Sequence, residues 1–162
     1  MTWGIPTDLF LKSHVVLSLV GIASGLMVLR AMVGGRLRCG WTWLFLATTV
    51  LTSVTGYPLP PFGWDPARIV ATISLVVLAI AIAAYALFNL AGAWRWIYVV
   101  TATIALYFNC FVGVAQAFDK IPFLHALAPT QAELPFKIAQ IALLVLFVVL
   151  GYLAVKRTRG KA

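Results

Sequence analysis

The sequence predicts an all-α integral membrane protein, a single bundle of five transmembrane helices with the N-terminus outside and the C-terminus in the cytoplasm. Of its 162 residues 63% are hydrophobic and 10% are charged, far fewer charges than a water-soluble domain carries. Five long apolar segments alternate with short polar joints, and these joints are too short to hold a second domain. Residues 1–162 therefore form one transmembrane domain.

The joints differ in charge when they are assigned alternately to the two sides of the membrane. One set holds eight basic residues and no carboxylate: Arg30, Arg36, Arg38, Arg95, Lys156, Arg157, Arg159 and Lys161. The other set holds all four acidic residues and the remaining basic ones: Asp8, Asp65, Asp119, Glu133, Lys12, Arg68, Lys120 and Lys137. Short loops rich in Lys and Arg stay in the cytoplasm, so the first set is predicted to lie inside.

The first span is expected at about 10–33, with Thr7 or Asp8 as its N-terminal cap. Glycines within 34–40 break the helix and supply a tight cytoplasmic turn.

The second span, about 41–57, is the shortest, and some seventeen residues only just cross a thin bilayer. Pro58 and the prolines that follow it end this helix. An alternative makes the segment a re-entrant hairpin and leaves four spans. It would move Arg95 and the basic C-terminal tail outside, which the charge rule disfavours.

The third, fourth and fifth spans are expected at about 67–90, 97–118 and 137–155. Gly92 ends the third, and Trp94–Trp96 forms a minimal inner joint before the fourth.

Tryptophans mark the same interfaces independently of charge, because indole prefers the headgroup level. All six fall at proposed span ends, two outside and four inside: Trp3, Trp64, Trp41, Trp43, Trp94 and Trp96.

Small residues four apart on a span let another helix approach closely. Gly21 and Gly25 have this spacing on the first span, and Gly113 and Ala117 have it on the fourth. They predict helix packing, either inside the bundle or at the seam of a dimer.

Three amides lie within the predicted spans: Asn109, Gln116 and Gln140. An unpaired amide is costly in hydrocarbon, so these side chains are expected to face protein and to bond between helices. The alternative is a polar cavity that takes a quinone headgroup or a small solute.

Two histidines and three of the four carboxylates are the candidate ligands on the outer face. His14 lies near the outer end of the first span and His125 lies in a loop, a placement that disfavours a haem held by two facing histidines. A metal held by both histidines and one of three carboxylates is conceivable, although the spacing matches no ligand motif. Those carboxylates are Asp65, Asp119 and Glu133. No cofactor is predicted; haem and quinone stay as alternatives.

Other function classes are disfavoured by what the spans and joints contain. No ionisable Lys, Arg, Asp or Glu lies in the middle of a span, which argues against an ion pump or a proton symporter. The net charge of +8 is accounted for by the inner joints, so nucleic acid is not an expected partner.

The outer joint 119–136 is rich in proline and apolar residues, and is expected to lie across the mouth of the bundle as a lid or as a structural cap. Thr130 and Glu133 have the spacing of a capping box that begins the fifth helix.

Three stretches of the sequence look familiar: Thr52–Pro60, Ala91–Ile97, and the joint 119–136 with its Leu127-Ala-Pro-Thr-Gln131 run. Together they resemble small multi-span inner-membrane proteins of bacteria that carry no assigned activity. The resemblance implies a bacterial inner-membrane location and provides no functional residues.

The function hypotheses follow from these observations. The favoured one is a small accessory or interaction subunit that packs in the bilayer against itself or a larger membrane complex. The alternatives are a membrane redox component that binds haem or quinone, and an oligomeric facilitator or channel for a small neutral solute.

Overall fold

The computed structural model describes residues 1–2, 4–59 and 65–159, and every regular element within these ranges is helical. The predictions made for Trp3, Trp64 and Lys161 lie outside the described residues. The helices are α1 (Thr7–Val33), α2 (Thr42–Gly56), α3 (Pro66–Ile82), a π-helical turn (Ala83–Leu87), α4 (Trp94–Lys120), α5 (Pro122–Leu127) and α6 (Leu134–Arg159). Four of them, α1, α3 with its π turn, α4 and α6, are long and apolar enough to cross a membrane. The fold is thus compatible with a membrane protein.

The fifth apolar helix is short. α2 has 15 residues, and at ~1.5 Å per residue it extends only about 22 Å. The prolines that follow Gly56 explain its early end, because they cannot continue a helix.

The helix ends differ from the expected ones at several places. The cap of α1 is Pro6, without a side-chain hydrogen bond, so the prediction of Thr7 or Asp8 as cap is wrong. Asp8 instead pairs with Lys12, 2.7 Å away and one turn further along the helix. The segment Trp94–Trp96 is the first turn of α4 rather than a joint. α6 continues beyond the predicted end at residue 155 and reaches Arg159.

The C-terminal end of α3 has an unusual backbone. The helix widens into the π turn, after which Asn89 and Leu90 adopt positive φ angles of 48° and 59°. Leu90 N donates to Ala84 O at 3.0 Å, so the chain turns back on the helix end. The predicted third span therefore ends at Leu87, before the left-handed residues, and Gly92 lies within the loop.

The long helices pack side by side with alternating direction. α4 contacts α3, α6 and α1, while α1 also contacts α2 and α6, and α2 contacts α3. We call the end that holds 34–41, 88–93 and the last turn of α6 the basic end. We call the other end, with the start of α1, the α2–α3 connection and 119–133, the acidic end.

The apolar core lies in the half nearer the basic end. Its largest fully buried apolar side chains are Val28, Met32, Phe45, Leu46, Leu78, Tyr98, Val99 and Leu106. Gly25 lies in this core, where an added Cβ would be 2.5 Å from Leu106 Cδ1 and 2.8 Å from Phe45 Cδ2. The lack of a side chain at Gly25 therefore lets α1 approach α2 and α4. Gly113 faces Ile22 of α1, and Ala117 is half-buried.

Candidate functional site

Polar groups of α2 and α4 converge on the bare backbone of α1 at Gly21. A Cβ on Gly21 would lie 2.9 Å from Asn109 Nδ2, 3.2 Å from Thr49 Oγ1 and 3.3 Å from Thr48 Oγ1. The sequence places Asn109 between apolar neighbours on α4, and the threonines on the face of α2 that the bundle covers. We call Gly21, Thr48, Thr49 and Asn109 the polar cluster; Thr52 lies one turn further along α2.

Several groups of the polar cluster lack a partner within the described residues. The Asn109 side chain is almost completely buried, at 8% exposure, and its Nδ2 has no hydrogen-bond acceptor there. The hydroxyls of Thr49 and Thr52 are likewise buried without a partner. Thr48 differs, because its hydroxyl donates to Leu44 O at 2.6 Å. A buried donor without an acceptor is unfavourable, and this makes the cluster a candidate polar site.

The other two predicted cavity amides have different surroundings. Gln140 is buried, and its Nε2 donates to Phe111 O at 3.1 Å, while its Oε1 has no partner among the described residues. Gln116 is exposed, because the face of α4 that is covered at Asn109 is open two turns further along. The prediction that all three amides face protein is therefore wrong for Gln116.

His14 bridges two helices. Its Nδ1 lies 2.8 Å from Thr55 Oγ1, which joins α1 to α2 near the acidic end. Gly56 faces the ring, and a Cβ there would be in ordinary contact with it, 3.6 Å from His14 Cε1. The Thr55 hydroxyl also donates to Leu51 O at 2.7 Å, so it accepts from the imidazole. The ring is thereby held in one orientation.

The predicted outer-face metal ligands are not brought together. No three His, Cys, Asp or Glu side chains group to hold a metal ion within 1–2, 4–59 and 65–159, which contain all five candidates. Asp65 instead caps α3, and its carboxylate pairs with Arg68. Glu133 bonds to its own loop, and His125 and Asp119 are exposed. The structure therefore does not bring the candidate ligands together, and Asp65 and Glu133 serve local structure instead.

Arg68 joins the start of α3 to the residues that follow α2, a role that the sequence analysis did not predict. Its side chain is only 10% exposed, and its Nη2 donates to Tyr57 O at 3.1 Å and to Leu59 O at 2.6 Å. Asp65 Oδ1 accepts from Arg68 N at 2.9 Å. The sequence feature that could have indicated this role is the Asp-Pro-X-Arg spacing at the start of α3. The carbonyl partners depend on the loop fold and have no sequence signature.

The joint 119–136 is anchored to the bundle. Gln131 Nε2 donates to Ala115 O at 3.0 Å, and the rings of Phe118 and Phe136 pack edge to face at 5.4 Å. Ala128 is fully buried, whereas Phe123 of α5 is 72% exposed. The joint therefore combines fixed contacts with an outward apolar face.

Thr130 and Glu133 close a tight loop just before α6. Thr130 Oγ1 donates to Glu133 Oε1 at 2.7 Å, and Ala132 N donates to Oε2 at 3.1 Å. The Thr130 hydroxyl bond, with the backbone donors, lowers the pKa of Glu133. Because α6 begins at Leu134, the capping-box prediction is displaced by one turn: Glu133 precedes the helix instead of lying within its first turn.

An apolar groove runs between α4 and α6 on the outside of the bundle. Its cavity volume is about 320 Å³, and its lining includes Ile104, Tyr107, Phe147, Val148, Gly151 and Tyr152. Gly151 forms its floor, where an added Cβ would lie 3.3 Å from Thr103 Cγ2.

Comparison with family models, with curated proteins and with solved structures gave no match to this chain.

Proposed function

We propose that the chain is a bacterial inner-membrane protein that crosses the bilayer five times, with the N-terminus outside and the C-terminus in the cytoplasm. The alternating helix directions support this, since α2 joins the two ends. The separation of charge supports it as well: all four carboxylates belong to the acidic end. Its test is cysteine labelling of both ends in intact cells. Labelling of both ends from the same side would overturn the topology.

We further propose that the protein is a small accessory subunit that acts by packing in the membrane plane, as a dimer joined through the α4–α6 groove. The single observation that carries this is the pairing of a groove with a ridge on the same face. α6 presents Leu144, Val148 and Tyr152 at intervals of four residues, exposed by 45%, 62% and 65%. This ridge borders the groove that Gly151 opens.

A ridge beside a groove is self-complementary across a two-fold axis. The ridge of one copy fits the groove of its partner, because side chains four apart on a helix interdigitate with those of a facing helix. α6 also has the most uncovered surface of the membrane-length helices, with 17% of its most apolar stretch buried against 44% for α4. A glycine floor allows the close backbone approach on which helix association in lipid depends.

The experiment is site-directed cross-linking of full-length protein in native membranes. In a background with Cys39→Ser and Cys110→Ser, we expect Val148→Cys to form a disulfide-linked dimer on mild oxidation. The matched control is Val76→Cys on α3, which is 59% exposed and lies away from the groove. We expect Gly151→Leu to abolish the Val148→Cys cross-link by filling the groove.

Equal cross-linking at Val76→Cys and Val148→Cys would show random collision and overturn the dimer. A monomer at all concentrations in detergent and in membranes would do the same. A larger complex that retains one copy of the chain would support the accessory role and reject the second copy as its partner.

The polar cluster favours a second candidate function, the binding of a quinone headgroup or a small neutral solute. Asn109 Nδ2 is a buried donor aimed at Gly21, and a quinone carbonyl is an acceptor of matching chemistry. We expect Asn109→Leu to abolish quinone binding or solute flux in liposomes while leaving the dimer cross-link intact. Unchanged binding and flux in this variant would reject the second candidate.

A further inference from the structure

The short helix α5 has an apolar side that is largely uncovered within the described residues. Phe123 and Leu127 lie four residues apart, and therefore on the same side of the helix, with 72% and 44% of their surface exposed. His125 is exposed on the opposite side, and Leu124, between the two sides, is half-buried. α5 is therefore amphipathic, with one apolar side and one polar side open to the surroundings.

The bundle does not extend over the apolar side of α5. The helix packs on α4, and within the described residues it makes no comparable contact with another helix. The segment that follows it is nonetheless fixed, because Gln131 donates to Ala115 O and Ala128 is fully buried. The fold therefore sets the orientation of α5, and Phe123 points away from the bundle.

The depth of α5 follows from the end of α4. A single residue separates Lys120, the last residue of α4, from Pro122, the first residue of α5. Asp119 and Lys120 are exposed, and so is Lys137 near the start of α6. Charged side chains of a membrane-spanning helix lie where the hydrocarbon layer ends. Under the proposed topology, α5 therefore lies at the outer headgroup level.

We propose that the apolar side of α5 binds the lipid surface of the outer leaflet, with Phe123 and Leu127 inserted at the boundary of headgroups and acyl chains and His125 in water. This inference rests on the proposed five-span topology. An amphipathic helix at headgroup level buries its apolar side at that boundary. A protein partner fits less well, because a stable interface takes about 800 Å² from each partner, whereas one aromatic side chain supplies about 150–250 Å².

The test measures the depth of spin labels on the full-length protein in phosphatidylcholine vesicles. In the Cys39→Ser, Cys110→Ser background, a nitroxide is attached to Leu127→Cys on the apolar side, with Phe123 intact, or to His125→Cys on the polar side as the matched control. Oxygen concentrates in lipid and a water-soluble nickel chelate stays in water, so their relative collision rates with the label report its depth. We expect oxygen to dominate at Leu127→Cys and the chelate to dominate at His125→Cys. Val145→Cys, 56% exposed in the middle of α6, gives the lipid reference.

A second substitution removes the apolar side itself. Phe123→Asp should move the Leu127→Cys label from lipid to water, whereas His125→Asp, which adds a carboxylate to the other side, should leave that label in lipid. Equal access of the chelate to Leu127→Cys and His125→Cys would place α5 in water and overturn the proposal, while a Val145→Cys label in lipid would leave the spanning helices intact. A Leu127→Cys label shielded from both reagents would show a covering protein and also overturn it. A Val145→Cys label in water would overturn the topology as well.

Discussion

The two halves of the helix bundle are held together by different means. Towards the basic end, α1, α2 and α4 meet through apolar side chains around Gly25, with Phe45 and Leu106 in direct contact with its backbone. Towards the acidic end, hydrogen bonds join the same helices and their connections. Examples are His14 to Thr55, Tyr57 OH to Thr72 Oγ1 at 2.6 Å, and Gln131 to Ala115 O.

The difference shows two solutions to one problem. In lipid, apolar contact between helices has little hydrophobic driving force, so association depends on close packing or on interhelical hydrogen bonds. Close packing at Gly25 requires one residue type at one position. Hydrogen bonding spreads the same task over several side chains. The effects of substitutions on the free energy of unfolding should therefore differ between the two halves.

The largest effect is expected at Arg68, the most connected polar residue of the acidic end. Arg68→Leu leaves Asp65 without its ionic partner and frees two carbonyl groups, so we expect a loss of about 3 kcal/mol in unfolding free energy. Denaturation in mixed detergent measures it. The exposed Asp8–Lys12 pair provides the control, since Lys12→Leu should change the free energy by less than ~0.5 kcal/mol. Equal losses of unfolding free energy in Arg68→Leu and Lys12→Leu would show that the buried Arg68 contacts stabilise the fold no more than an exposed ion pair does.

The next effect tests the packed half. Gly25→Ala adds one methyl group 2.5 Å from Leu106 Cδ1, and we expect a net loss of about 2 kcal/mol, because overpacking outweighs the gain in helix propensity. Gly40→Ala adds the same methyl group where nothing lies within 4 Å. The measurement is the same detergent denaturation, with helical circular dichroism as the signal. A stable Gly25→Ala protein would contradict close packing at this position.

A smaller effect is expected for the His14–Thr55 hydrogen bond. In a double-mutant cycle of His14→Phe and Thr55→Val, we expect an interaction energy of about 0.6–1 kcal/mol, the usual value for such bonds between membrane helices. Ser13→Ala is the control, because its hydroxyl bonds only within α1 to Leu9 O as far as the described residues show. A zero interaction energy would mean that the bond does not hold the two helices together.

The smallest effect is a local pH dependence at Glu133. Its pKa is lowered by the Thr130 hydroxyl and the backbone donors, so the unfolded chain, with a Glu pKa of ~4.3, binds the proton more readily than the folded one. The loop is therefore fully stabilised at neutral pH and loses this contribution as the pH falls through the lowered pKa. The protection of the Ala132 amide from hydrogen exchange, relative to an unstructured peptide at the same pH, should fall over that range. Glu133→Gln should remove the pH dependence, and a pH dependence that persists in this variant would reject the assignment.

Sequence reasoning predicted the coarse architecture well. Apolar length alone located α1, α4 and α6, since a membrane-length hydrophobic run dominates any local preference. Helix ends were less predictable: Trp94–Trp96 looked like a joint, yet the turn is made by the left-handed residues before them. Their positive φ angles depend on contacts with the end of α3, and the sequence pattern does not predict these contacts.

The sequence identified residue types that belong to the candidate sites, but it did not predict how these residues are arranged. The buried amides Asn109 and Gln140 were identified because an amide among apolar residues is conspicuous, but the sequence did not show that Gln116 is exposed. The converging hydroxyls of Thr48 and Thr49 were missed. Threonines are common in membrane helices, and only the three-dimensional approach to Gly21 distinguishes them.

The position of α6 has a consequence for how the protein is made. It follows α1 and α4 along the chain, and it packs against both of these helices, which already contact each other. The earlier helices can therefore assemble while the nascent chain is still being synthesised, and α6 then packs over the contact between α1 and α4. A chain released before Leu134 would leave this contact exposed to quality-control proteases, so premature termination should yield a degraded product rather than a stable fragment.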